Sequence, residues 1–138
     1  MKTIVVGYDD TEPAKRALAR AADLGEAFGA KLVVASVAAV SLPAAGRGSG
    51  AIDPTDPPEL HEAELGQARG YLETRKTEAS YVNAIGEPAE AIIAAAEEHG
   101  ADLIVVGTRE LGFVERLLGQ SVSHAVAAHA HTDVLIVH

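Results

Sequence analysis

Ile4-Val5-Val6-Gly7-Tyr8-Asp9-Asp10-Thr11-Glu12-Pro13-Ala14 is the stretch on which the fold turns. Three consecutive β-branched apolar residues are too few for a helix and read as a strand buried on both faces. A glycine and a polar loop follow. Thr11 is an N-cap residue type, its oxygen suited to a first-turn N–H, and Pro13 stands at an early helical position where no N–H is needed. Ala14, Ala17, Leu18, Ala21 and Leu24 then recur at helical spacing, and Gly29 closes the run. The unit is strand, short loop, helix.

The unit repeats along the chain. Short apolar runs stand at Leu32-Val33-Val34, Leu103-Ile104-Val105-Val106 and Val134-Leu135-Ile136-Val137, with a weaker strand around Ser80 to Ile85. Between them, a second helix is expected from about Glu59 to Glu73, with Leu65, Ala68 and Leu72 inward. A third starts at Pro88, carries Ala89, Ile92, Ile93 and Ala96, and ends at Gly100. A fourth covers roughly Ser121 to Ala130, with Val122, Ala125 and Val126 buried. Strands and helices in alternation imply a parallel sheet with right-handed crossovers and helices on both faces. The expected fold is a three-layer α/β sandwich of five strands and four helices in one domain, residues 1–138. Ligands in such sheets bind outside the carboxyl ends of the strands, where the strand order reverses. The ends of the first and fourth strands, Gly7-Tyr8-Asp9-Asp10 and Gly107-Thr108-Arg109-Glu110, are therefore the places to look for chemistry.

Ser41 to Pro58 stands apart. It holds four of the six prolines together with Gly46, Gly48 and Gly50, and lacks periodicity. It reads as a flexible loop without strand or helix, either a lid over the strand ends or an excursion.

Composition narrows the function. Of the 138 residues 48% are apolar, enough for a core. Twenty acids against eleven bases give a formal charge of -9, which argues against a nucleic-acid or anionic-membrane partner. The absence of cysteine removes disulfides, thiolate catalysis and zinc–thiolate sites. No apolar run suits a signal peptide or a membrane span, so a soluble, cytoplasmic protein is expected. Gly46-Arg47-Gly48-Ser49-Gly50 is followed by prolines rather than a helix, so it is not a phosphate-binding turn, and no P-loop occurs. His124, His129 and His131 lack metal-ligand spacing and read as surface histidines near a helix end. Ser121, Ser123 and His124 lack a nucleophile elbow.

The segment from Gly107 to Ser123 is the most informative for function. A strand ends in glycine, a glycine-punctuated crossing follows, and a Gln-Ser pair opens a helix. Such a segment suits an anion, held by backbone N–H groups and a helix start. It equally suits a plain connection with a serine cap.

Several pieces together resemble the universal stress protein family: Ile4 to Ala14, Ile85-Gly86-Glu87-Pro88, Ala101 to Arg109, Arg116 to Ser123, and Asp133 to Val137. The resemblance covers nearly the whole chain. It implies the same five-stranded fold and a homodimer paired through the last strand. Nucleotide-binding members are similar in carrying Gly-x-x-Gly, nine residues, then Gly-Ser/Thr, with an aspartate after the first strand facing the adenosine half. Asp9, Gly107 and Ser121 match that pattern. Glu110 and Gln120 replace two motif glycines, Gly112 and Gly119 stand nearby, and Asp10 stands where glycine is usual. The candidate nucleotide site carried by the resemblance is Tyr8, Asp9, Val37, Gly107, Thr108, Arg109, Gly112, Gly119, Ser121, Val122 and Ser123. The ligand implied is ATP or AMP with Mg2+, bound weakly because Glu110, Asp9 and Asp10 oppose the phosphates. The expected role is a dimeric stress-response module, with no catalysis beyond slow ATP hydrolysis. The alternative is a dimer that binds no nucleotide and acts on an unknown protein partner.

Overall fold

The computed structural model describes residues 1–38, 40–41, 51–52, 58–108 and 122–138. In chain order the elements are β1 (Thr3–Gly7), α1 (Glu12–Phe28), β2 (Lys31–Ala38), β3 (Val40–Ser41), β4 (Ala51–Ile52), α2 (Pro58–Leu72), β5 (Ala79–Ile85), α3 (Pro88–Glu98), β6 (Leu103–Gly107), α4 (Val122–His129) and β7 (Asp133–Val137).

Five strands form one parallel sheet in the order β5-β2-β1-β6-β7. Ile4 is paired with Leu32 on one side and with Leu103 on the other. The order therefore reverses at β1, and the crevice between the carboxyl ends of β1 and β6 is the switch point. Because side chains alternate along a strand, Ile4 and Val6 face α1 and α2 while Val5 faces α3 and α4. Every residue from Ile4 to Val6 and from Leu32 to Val34 is fully buried, which accounts for their continuous apolar runs.

Local signals place the helices. Thr11 caps α1, its Oγ1 accepting from the Ala14 N–H at 3.3 Å. Gly29 ends α1 in the left-handed region at φ 65°, where a side chain would be strained. In α3 the Glu87 carboxylate accepts from the Glu90 N–H at 2.8 Å, and Pro88 occupies the first turn. Arg75 ties the turn before β5 to α1, donating to Asp23 at 2.6 Å and to Glu26 at 2.8 Å.

The segment expected to lack strand and helix differs at its ends. Val40 and Ser41 pair antiparallel with Ile52 and Ala51, and α2 already begins at Pro58. Two-residue strands offer no periodicity to read, and a proline suits a helix's first turn because its missing N–H is not needed there. The flexibility expected of residues 42–50 and 53–57 lies outside the described residues. No helix among the described residues is long and apolar enough to cross a membrane.

Candidate functional site

At the switch point the structure opens into a cleft of about 460 Å³. Its floor is the ends of β1 and β6, its walls the first turns of α1, α2, α3 and α4. It brings together Tyr8, Asp9, Val37, Gly107 and Val122 from the sequence-derived set. Thr108 and Ser123 are described but are not among the lining residues. The Thr108 N–H donates to the Val137 carbonyl at 2.7 Å and its hydroxyl meets His138 Nδ1 at 3.1 Å, so it is turned to the end of β7. Ser123 is buried in α4. Arg109, Gly112, Gly119 and Ser121 lie outside the described residues, as does Glu110.

The β1 end of the cleft is organised by a turn. Asp9 Oδ1 accepts from the Thr11 N–H at 3.2 Å and from the Thr11 hydroxyl, while Thr11 itself caps α1. An aspartate that bonds the backbone two residues on is a turn-former, so Asp9 is held in place before any ligand arrives. Asp10 does not stand as a bare charge. Lys15 Nζ lies 3.4 Å from its carboxylate and 3.5 Å from Glu12, and the bond to Asp10 holds the lysine above its ordinary pKa. The acidic face expected at this strand end is thus partly balanced by an ammonium one helical turn on. Burial pushes the Tyr8 hydroxyl above the ordinary phenol value, with Asp10 adding to the effect, so Tyr8 is a neutral wall residue.

Gly107 has a reason that the sequence does not display. A Cβ on it would lie 2.5 Å from both the Pro13 carbonyl carbon and its oxygen, and 2.8 Å from the Ala14 nitrogen. These are backbone atoms and cannot swing aside. The glycine is demanded by the approach of α1 to β6, whatever it also allows a ligand to do.

Sequence reasoning missed three residues. Ser36 on β2 and His61 and Glu64 on α2 form a buried triangle at the cleft wall. Ser36 Oγ lies 2.6 Å from His61 Nδ1 and donates to Glu64 Oε2 at 3.0 Å; His61 Nδ1 is also 3.0 Å from that oxygen. The signal was present. Ser36 interrupts the inward positions Leu32 and Val34, and His61 falls in phase with Leu65, Ala68 and Leu72. The triangle is not a hydrolytic relay. Ser36 is fully buried, and hydroxyl and carboxylate meet the same ring nitrogen, whereas a relay needs the two nitrogens on opposite partners.

Known proteins resemble this chain from end to end. The family profile described as the universal stress protein family matches residues 1–138. A universal stress protein of Thermus aquaticus is 38% identical over 136 residues, spanning 99% of this chain and 98% of that one. One from Mycobacterium tuberculosis is 34% identical over 143 residues, spanning 99% and 96%. Among solved structures, a universal stress protein in complex with cAMP superposes with a TM-score of 0.76 at 32% identity, covering 99% of this chain and 96% of that one. Full-length matches of this kind, on the sheet order and capped helices described above, leave one assignment: the chain belongs to the universal stress protein family.

Proposed function

We propose that the chain is a dimeric stress-response module that binds an adenine nucleotide, ATP or AMP, in the cleft between β1 and β6. The observation that carries this reading is the cleft itself, about 460 Å³ at the switch point of the sheet, with Asp9 fixed at its rim. That volume falls in the range of small-molecule sites, and that position is where open α/β sheets take their ligands. The relative in complex with cAMP supports an adenine ligand. A Mg2+ ion in this reading arrives on the phosphates, since Mg2+ is commonly held by one or two carboxylates together with substrate phosphates. The role is binding, with at most slow ATP hydrolysis. Calorimetric titration with ATP and with AMP, each with and without Mg2+, tests it. One saturable site per chain is expected, with Mg2+ tightening ATP more than AMP because ATP carries more charge past Asp9 and Asp10. Absence of saturable binding by either nucleotide would refute the reading and favour the interaction-protein alternative.

The dimer of this reading forms through β7. That strand ends the sheet on one side, and Val134, Leu135 and Ile136 are only half-buried within a single chain. An uncovered apolar edge invites pairing, and a two-fold axis lets the strand pair with its own copy. Sedimentation at micromolar concentration should give a dimer, converted to monomer by Ile136→Lys. A wild-type monomer would contradict it.

A further inference from the structure

Among the described residues Glu64 is the only buried carboxylate, 7% exposed, and it lines the cleft. A buried carboxylate persists when its oxygens are hydrogen-bonded. Only one of them is. Oε2 takes the Ser36 hydroxyl and lies against His61 Nδ1, whereas Oε1 has no hydrogen-bond partner among the described residues. The fold has therefore fixed one half of an acceptor and left the other half to the cleft.

The geometry points to Glu64 as a specificity-determining residue for the uncharged, nucleoside end of the ligand, its Oε1 accepting a hydrogen bond from a neutral donor. This rests on the nucleotide reading above. A carboxylate repels phosphate, so the end of the cleft it occupies is not the phosphate end. Its place agrees with this. Glu64 sits with Ser36 of β2, on one side of β1, and Gly107 ends β6 on the other. A nucleoside offers two kinds of neutral donor, the exocyclic amino group of the base and the ribose hydroxyls, and Glu64 Oε1 suits either. Ser36 and His61 are positioning residues that hold the carboxylate from behind.

Three nucleotides separate the donors in the wild-type protein: ATP, purine riboside triphosphate, which carries a hydrogen in place of the amino group and has no other base N–H, and 2′,3′-dideoxy-ATP, which lacks both ribose hydroxyls. The analogue without the recognised donor should bind about tenfold more weakly than ATP, because it covers the Oε1 oxygen, which is open to the cleft, without giving it a partner. Glu64→Gln should remove that preference. Ser36 keeps an acceptor by bonding the amide oxygen, which turns the amide N–H toward the ligand's own donor. Ser36→Ala should weaken the preference without abolishing it, and Ser36→Thr, which keeps the hydroxyl, should restore it. Circular dichroism melting reports on the fold of each variant, and the wild-type comparison needs no variant at all. Equal binding of all three nucleotides by the wild type, or an unchanged preference in folded Glu64→Gln, would overturn the assignment while leaving nucleotide binding intact. Absence of binding by all three would sink both.

Discussion

α1 and α2 cover the same face of the sheet, and they are held to it in opposite ways. α1 buries Ala14, Ala17, Leu18, Ala21, Ala22 and Gly25, nearly all of them small. Small side chains let its backbone come close, and the approach is tightest where Pro13 and Ala14 rest on Gly107. α2 buries Leu65, Ala68 and Leu72 along its length, but in the turns nearest the cleft it buries His61 and Glu64 against Ser36. One helix is fixed by backbone contact, which tolerates no added atom. The other is fixed by a polar cluster, which costs desolvation and leaves an acceptor facing the cleft. Both reach the site, yet only the second offers it side-chain chemistry from a buried position.

Substitution can break or sharpen that contrast. The largest effect belongs to the α1 contact. Gly107→Val should cost about 3 kcal/mol or more, and Gly107→Ala nearly as much, because the first added carbon already meets main chain. Thermal unfolding should show a midpoint lowered by roughly 10 °C for a domain of this size. An alanine variant that melts with the wild type would mean that α1 is free to shift. The smaller effect belongs to α2 and has the opposite sign. Replacing the triangle together, Ser36→Val with His61→Leu and Glu64→Met, removes the desolvation cost and should be neutral or stabilising by about 1–4 kcal/mol. The same triple variant should lose nucleotide selectivity. If chemical denaturation instead shows marked destabilisation, the triangle is a structural lock and the contrast between the helices fails.

Much of this architecture was legible in the residues. Thr11, Pro13 and Gly29 delimited α1, and Pro88 and Gly100 bracketed α3, because caps and prolines act through local sterics that a sequence displays directly. β5 was faint because it is an edge strand, half-exposed along its length, with Ile85 51% exposed. The pair of Val40–Ser41 with Ala51–Ile52 was not legible, since its hydrogen bonds join main chain and say nothing through side-chain type. The site was legible in part. Tyr8, Asp9, Val37, Gly107 and Val122 meet in one cleft. The triangle joins residues 25 and 28 positions apart; Ser36 and His61 each stand at an inward position of their own element, but nothing local says that they meet. Gly107 shows the deeper limit. A glycine that ends a strand reads the same whether its neighbour is a phosphate or the backbone of a helix, and only the packed structure tells them apart.

The register of β1 has a consequence for how the protein emerges from the ribosome. Ile4 to Val6 can pair with Leu32 to Val34 as soon as β2 is made, but their other partners, Leu103 to Val105, follow 99 residues behind. At roughly 5–20 residues per second, the central strand of the sheet waits about 4–14 s with one bonding edge open, while the 71 residues from Val34 to Val105 are made. During that interval the growing chain carries an apolar, unpaired edge at its centre, and closing it later bears the entropy of a very long loop. The second edge of β1 is therefore covered late, when β6 pairs with it, and that same pairing creates the crevice between them.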